Sequence, residues 1–488
     1  MIAALLLVPT IAGILTFFIR SAAAQRRLLR LTVTLHFLLT CGCWFLPLSK
    51  PDESSWLGLD APGLFFLTVT SILTLAVGMY AAAFLRREAS GVPRPIELIR
   101  ALPNAPEAIF SGCSQLFLAA MTLVIVSRHF GLLWVAMEAT TLVSAPLIYF
   151  HRSRHSLEAT WKYLILCSIG IALALLGNFF LVVAGTGHGG LSLDALLAAG
   201  PHLNVLWLRA AAIFFFVGYG TKMGFAPLHT WRPDAYSESP TPVAALLSGA
   251  LVNCAFFALL RVQQVLGAAG EAEFGRELFL GFGLFSILVA AIFVIRQADY
   301  KRLLAYSSVE HVGILAVGAG LAKAGLMGSL LHALNHSLVK AMLFMVAGNI
   351  LAASRTKSIP EVRGMLRVVP VSAVLWIAGF LAITGSPPFG TFLSEFTILK
   401  AAIDQSQFFV AAAYLFLLVA IFIAVAQLFL GMAQGEAPAS SGTRQPEALA
   451  TIVPPIALCM LALSLGLYVP APLQDLMNAA AQTLSGSM

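Results

Sequence analysis

Three protonatable side chains, His332, His336 and Lys340, follow one another at intervals of four residues in the apolar segment SLLHALNHSLVKAMLFM. Each step of four residues turns an α-helix about 40° past a full circle, so the three groups share one stripe. Imidazole binds and releases protons near neutral pH, and such a stripe can pass protons through an apolar interior. A metal site fits less well, because no acidic third ligand is nearby in the sequence and lysine is not a zinc ligand. We therefore expect a proton relay and no metal.

Single charged residues lie in three other apolar segments. Glu138 lies in LLWVAMEATTLVSAPLI, Lys222 in VGYGTKMGFAPLHTW and Glu395 in GSPPFGTFLSEFTIL. A charge near the centre of a bilayer costs at least ~2.5 kcal/mol, so each of the three is expected to be functional. Burial favours the neutral amine of Lys222 and a nearby carboxylate favours the ammonium. A lysine balanced between these effects can take up and release a proton.

Four further residues are weaker candidates for the same relay. Glu310 and His311 lie together in AYSSVEHVGIL, in an apolar segment of their own. His229 and Asp234 follow Lys222 and could lie near an inner mouth of the path.

The composition assigns the chain to the membrane proteins. Apolar residues make up 59% of its 488 residues and charged residues only 10%, whereas a soluble domain has about 25% charged residues. The net charge of +7 does not indicate a nucleic-acid partner, because the basic residues lie between apolar segments, where they orient membrane proteins. The six cysteines form no CxxC pair, which disfavours zinc, iron–sulfur and disulfide sites.

Apolar segments long enough to span a bilayer, for which about 20 residues are needed, occur fourteen times. We expect an all-α polytopic fold with spans near 2–20, 29–48, 62–85, 110–127, 130–150, 161–184, 207–235, 241–265, 277–295, 303–321, 326–352, 368–402, 406–433 and 450–470. The seventh span contains Pro227 and the twelfth contains Pro387 and Pro388. Proline removes a backbone donor and obstructs the helix, so both spans are predicted to be broken.

The spacing of the spans also indicates an internal repeat. Spans four to eight and nine to thirteen have similar lengths, and the broken helix is the fourth member of each group. Since five spans is an odd number, the two groups must be inverted, as in many transporters. We divide the chain into a three-helix segment at 1–109, a first repeat at 110–265, a second repeat at 277–433 and a C-terminal helix and tail at 434–488.

The distribution of Lys and Arg predicts the orientation in an inner or plasma membrane. With both termini on the outer, periplasmic side, most of the 29 Lys and Arg residues fall in inner loops, as the positive-inside rule requires. Arg26, Arg87, Arg154 and Arg232 are among these predicted inner residues.

Motifs for an energy source are missing from the sequence. It contains no P-loop, no dinucleotide-binding glycine motif in a βαβ context and no haem or cluster motif. We therefore expect no cofactor, and any redox energy must come from partner subunits.

Five segments together resemble one family: WVAMEATT, KMGFAPLHTWRPDAYSESPTPVAALLSG, ADYKRLLAYSSVEHVGI, HALNHSLVKAMLF and GSPPFGTFLSEF. They are similar to the antiporter-like, proton-translocating subunits of respiratory complex I, membrane-bound hydrogenases and Mrp-type cation/proton antiporters. The resemblance covers roughly residues 60–435. The version YSSVEHVGI looks most like the branch of hydrogenase-4 and formate hydrogenlyase, component F.

The resemblance implies a role for each matching residue. Glu138 and Lys222 would be the ion pair of the input half, and Glu395 the terminal group that exchanges protons with the outer side. Lys340, with His332 and His336, would be the central relay. Where the family often has a bridging lysine, this sequence has Asn253, which cannot titrate. The bridge would then be water-mediated, or would have moved to Glu310 and His311.

The resemblance implies redox partner subunits, both membrane-embedded and peripheral, which would drive proton transport. Three alternatives remain open at this stage. The chain could belong to an Mrp-type sodium/proton antiporter, to an inorganic-carbon uptake system, or to a complex in which it is a structural subunit with an idle channel.

Overall fold

The computed structural model describes residues 1–47, 56–89, 103–186, 190–436 and 446–485. In these residues the chain is α-helical, and β-pairing is confined to isolated bridges. The all-α prediction is confirmed. The predicted end of the second span at residue 48 lies outside the described residues.

Twenty α-helices make up the described part of the chain. They are α1 (Ile2–Phe18), α2 (Ala22–Cys43), α3 (Ala61–Ala89), α4 (Glu107–Val126), α5 (Phe130–Ile148), α6 (Arg154–Ala184), α7 (Leu193–Ala198), α8 (Val205–Met223), α9 (Arg232–Glu238), α10 (Thr241–Leu246), α11 (Val252–Ala268), α12 (Ala272–Val294), α13 (Tyr300–Gly320), α14 (Ala322–Ser354), α15 (Met365–Val368), α16 (Pro370–Ile383), α17 (Gly390–Asp404), α18 (Phe408–Ala433), α19 (Leu449–Leu467) and α20 (Ala471–Ser485). A π-helical segment, Leu247–Leu251, joins α10 and α11 into one long helix.

In the described ranges, eleven helices are long and apolar enough to cross a membrane. The apolar helices α1 and α16 are shorter, and α2 carries arginines near its start. Counted with these three, the crossing helices correspond to the fourteen predicted spans. The polytopic fold is thus confirmed, while the division into two inverted repeats stays a prediction.

Both predicted helix breaks are present. Helix α8 ends at Met223, and α9 begins only at Arg232, with Pro227 between them. Gly224 ends α8 with a φ of 80°, and a Cβ there would lie 2.4 Å from the guanidinium of Arg232. Glycine is therefore required at this position both by its backbone conformation and by its neighbour.

The second break separates α16, which ends at Ile383, from α17, which begins at Gly390. Pro387 and Pro388 lie in the connection. Gly385 has a φ of 59°, and a Cβ there would lie 1.9 Å from Oε2 of Glu395. The break therefore brings backbone directly against a functional carboxylate.

Two helix boundaries differ from the sequence prediction. Helix α2 starts at Ala22 rather than near residue 29, because Ser21 caps it and Arg26 pairs with Glu107 of α4 at 3.0 Å. Helix α20 was expected to be tail. Its apolar side chains recur at helical spacing and are buried against α3, α11 and α14: Leu476, Met477, Ala480, Ala481 and Leu484.

A network of buried ion pairs joins the start of α3 to α7 and α11. Asp60 accepts from Arg261 at 2.7 Å and from Arg128 at 3.3 Å, and Arg128 also pairs with Asp194. Desolvation raises the pKa of Asp60, but the two arginines outweigh it and hold that pKa below its usual value of 3.8. The carboxylate therefore stabilises the fold above pH 3.8, and this contribution is lost as the pH falls below that value.

Replacing this carboxylate tests the network. We expect Asp60→Asn to destabilise the protein by ~3 kcal/mol, because it leaves Arg261 buried without its anionic partner. The thermal midpoint of the detergent-solubilised protein should fall at pH 7, and the difference from the wild type should shrink below pH 4. Asp475→Asn, at an exposed residue of α20, is the matched control and should leave the midpoint unchanged.

Candidate functional site

The predicted titratable residues lie in the centre of the helix bundle. Helix α13 and the continuous α10–α11 helix are surrounded by protein along their apolar length. The buried stretch of α14 includes His332, His336 and Lys340, all 0% exposed. Buried charge is tolerated here because neighbouring helices, rather than lipid, surround it.

Lys222 lies in the last turn of α8, immediately before the break. Its ammonium is 0% exposed and donates to Oγ1 of Thr141 at 2.7 Å and to the hydroxyl of Tyr163 at 2.8 Å. The hydroxyl of Tyr163 is in turn 2.7 Å from Oγ of Ser144. The partners of Lys222 are therefore neutral hydroxyls from α5 and α6, which can exchange protons with it.

Glu138 lies one turn before Thr141 on the same face of α5. One carboxylate oxygen accepts from Ser168 at 2.8 Å, and the other is buried without a hydrogen-bond partner. Among the described residues, Glu138 forms no ion pair with Lys222 within 4.0 Å. The two residues predicted as a pair are thus connected through Thr141 rather than by direct contact.

Lys340 and Glu310 form the corresponding centre of the second half. Nζ of Lys340 donates to the carbonyl oxygen of Leu304 at 3.0 Å, and Glu310 accepts from Ser307 at 3.3 Å. Lys340 is 0% exposed and Glu310 3%. As with Glu138 and Lys222, the described contacts of this lysine and glutamate are with neutral groups.

The histidines of α13 and α14 form one cluster. Nδ1 of His311 is 2.9 Å from Nε2 of His332, and Nδ1 of His332 is 2.9 Å from Oγ of Ser394 on α17. The ring of His336 lies 5.0 Å from that of His311, and both of its nitrogens are buried without a partner. A hydrogen-bonded chain therefore runs across three helices from α13 to α17.

Glu395 stands at the end of this chain. It follows Ser394 directly and is 9% exposed, so its carboxylate reaches the edge of the buried region. Ligand atoms of His311, His332 and Glu395 lie within 4.8 Å of one another. The sequence argument against a metal rested on a missing acidic ligand, and Glu395 supplies one in space; that no metal is bound stays a prediction.

Asn253 lies between the two halves on α11. Its amide donates to Oγ of Ser337 at 2.8 Å, one turn of α14 before Lys340. Its carbonyl oxygen is buried without a partner. The side chain therefore contacts the relay helix, although it cannot itself carry a proton.

The two remaining candidates do not join the chain of buried groups. Asp234 pairs with Lys162 and with Arg302, each at 2.8 Å, near the protein surface. The His229 ring packs against Tyr306, and its Nδ1 has no partner. Their positions after the break leave the hypothesis of an inner mouth as a prediction.

Arg232 was placed in an inner loop by the sequence argument, and that placement is wrong. It is 0% exposed, donates to the carbonyl oxygen of Met223 and lies against the rings of Trp231 and Tyr236. Two of its three nitrogens have no partner. A single arginine after a span resembles a boundary residue in sequence, so only the fold shows that the break turns it inward.

Sequence reasoning also missed the hydroxyl partners of the titratable groups. Thr141, Tyr163 and Ser394 are ordinary apolar-segment residues by composition. Tyr163 carried a weak signal, because its phenol needs a partner when buried in a span.

Comparisons with known proteins agree with the fold and the buried groups. Residues 127–423 match the family model described as NADH:quinone oxidoreductase/Mrp antiporter, TM. A hydrogenase-4 component F homolog of Methylacidiphilum infernorum is 34% identical over 447 residues, covering 90% of this chain and 91% of the relative. A chain of the membrane-bound sulfane sulfur reductase, an archaeal respiratory membrane complex, shares the fold with a TM-score of 0.86 at 22% identity, covering 99% of this chain and 97% of that one. A chain of respiratory complex I from Thermus thermophilus gives a TM-score of 0.75 at 25% identity, covering 96% and 97%.

The fold and the buried titratable groups define an antiporter-like, polytopic integral membrane protein. The chain belongs to the NADH:quinone oxidoreductase/Mrp antiporter family. Its predicted likeness to hydrogenase-4 component F is confirmed. Several relatives are named as subunits or components, so membrane partners are expected for this chain as well.

Proposed function

We propose that this subunit conducts protons across the membrane along Glu138, Lys222, Lys340 and Glu395, within a redox-driven complex of the hydrogenase-4 type. The observation that carries the proposal is the hydrogen-bonded chain His311–His332–Ser394, which ends beside Glu395. Each imidazole can accept a proton on one nitrogen and release one from the other, so the chain can pass a proton without moving backbone.

The first half has the chemistry of a proton-loading site. A proton reaching Glu138 can pass by way of Thr141 to Lys222, which is hydrogen-bonded to two hydroxyls. Between the halves stand an amide, Asn253, and a guanidinium, Arg232, neither of which releases protons near neutral pH. We therefore expect water to carry the proton from Lys222 to Lys340.

Redox partners would supply the driving force. Movement of a partner that changes the separation of Glu138 and Lys222 changes how strongly the carboxylate stabilises the ammonium, and a change of ~1.4 kcal/mol shifts a protonation equilibrium tenfold. In the orientation that places both termini on the periplasmic side, Glu395 would release the proton outward.

His332 provides a test of the carrying observation. We expect His332→Phe to lower proton translocation at least ~10-fold, because the ring that links His311 to Ser394 then has no titratable nitrogen. The complex containing the full-length chain would be reconstituted into liposomes, and proton flux driven by a potassium diffusion potential would be followed with a pH-sensitive dye.

His155→Phe, at an exposed residue of α6, is the matched control and should keep the wild-type flux. Wild-type flux in His332→Phe would show that protons do not use the histidine chain.

The second candidate function is sodium/proton antiport, which the family description includes. It predicts uptake of radioactive sodium by the same liposomes when a pH gradient is imposed. Sodium uptake that stops when Glu395 is neutralised would favour antiport over redox-driven pumping.

A further inference from the structure

Five arginines surround one cavity where α2, α3, α14 and α19 meet. The cavity has a volume of about 610 Å³. The arginines are Arg26, Arg27 and Arg30 of α2 and Arg86 and Arg87 of α3. None of these residues belongs to the proposed proton path, so the cavity raises a separate question of what it binds.

The positive charge of the cavity is not neutralised by the described residues. Arg26 pairs with Glu107, but Arg27, Arg30 and Arg86 are exposed and have no ion-pair partner in the described ranges. The one described carboxylate in the lining, Glu447, accepts instead from the backbone amides of Val371 and Ser372 at 2.9 Å each. The cavity therefore presents at least three guanidinium groups to an anion.

The cavity also has an apolar side. Met79, Ala82 and Ala352 line it together with the arginines. Met79 precedes Arg86 by about two helical turns on α3, so the apolar lining extends away from the charged rim along the spanning helices. Helix α2 begins and α3 ends at this level, which places the rim at one end of the membrane-spanning bundle.

We propose that this arginine cavity binds the headgroup of an anionic phospholipid that carries two phosphates, with its acyl chains along the apolar lining. Guanidinium groups bind phosphate oxygens bidentately. Basic pockets between membrane helices are suited to such headgroups. The arginines come from two helices, so one phosphate can pair with Arg27 and Arg30 and the other with Arg86. A soluble anion would leave the apolar lining unused.

Lipid binding to the assembled protein tests the proposal. The full-length chain with its co-purifying subunits would be placed in phosphatidylcholine nanodiscs and titrated separately with diphosphatidylglycerol, phosphatidylglycerol and inorganic phosphate, with bound molecules counted by native mass spectrometry. We expect one tightly bound diphosphatidylglycerol per chain and weaker binding of phosphatidylglycerol. The triple variant Arg27→Gln, Arg30→Gln, Arg86→Gln should lose affinity on the order of 100-fold, or about fivefold for each arginine.

The matched control is Arg154→Gln, Arg363→Gln, Arg367→Gln, which removes the same charge from exposed residues outside the cavity. This variant should bind the lipid as the wild type does. Unchanged affinity in the cavity variant, or an equal loss in the control, would overturn the proposal. So would displacement of the lipid by equimolar inorganic phosphate, or cross-linking of the cavity to an acidic segment of a co-purified subunit.

Discussion

Lys222→Met is expected to abolish proton translocation while the protein still folds and assembles. The ammonium of Lys222 is the one titratable group in the hydroxyl cluster of Thr141, Tyr163 and Ser144. Methionine fills a similar volume but carries no proton. Proton flux into liposomes should therefore fall to the level of protein-free membranes.

Folding should survive this substitution because no described carboxylate depends on Lys222 for charge balance. The variant leaves two hydroxyls without one donor each, which costs about 1–3 kcal/mol, but it also removes the need to bury an ammonium. Tyr163 keeps its contact with Ser144. The yield of purified complex and its thermal midpoint would measure this part of the expectation.

Two companion variants separate proton transfer from charge. Lys222→Arg keeps a positive charge but cannot deprotonate in a protein, so it should be as inactive as the methionine variant if the proton itself passes through this position. Lys323→Met, at an exposed residue of α14, should retain full flux. Normal pumping by Lys222→Met would refute the proposed path.

The sequence predicted the faces of the helices better than it predicted their partners. The spacing of His332, His336 and Lys340 places them on one stripe, and the fold buries that whole stripe. Helical periodicity does not say which other helix faces the stripe, so the contacts of His332 with His311 and Ser394 required the fold. Both breaks were predictable, because proline and glycine act locally on the backbone.

Arg232 shows the limit of such local reasoning. Its sequence neighbours indicate the end of a span, and the positive-inside rule then assigns it to a loop. The break after Met223 instead turns it into the core, where it donates to the carbonyl oxygen of that same residue. A fixed charge near Asn253 was therefore hidden in the sequence, although the gap in titratable groups at Asn253 was visible there.

Glu395→Gln should produce the second large effect, a loss of proton translocation on the order of 10- to 100-fold. Of the four proposed path residues, Glu395 combines a position beside the histidine chain with partial exposure, at 9%. Glutamine has nearly the same shape, so it should fit against Gly385 without disturbing the break. It cannot release a proton, and protons that reach Ser394 would have no group to receive them.

The position of Gly385 sharpens this prediction. Since a Cβ there would lie 1.9 Å from the carboxylate, Gly385→Ala should displace Glu395 and reduce flux while the carboxylate remains present. Asp404→Asn, which removes an exposed carboxylate from the end of the same helix, should have no effect. If Glu395→Gln pumps normally while His332→Phe does not, protons leave the histidine chain by another exit, and Glu395 only shapes the break between α16 and α17.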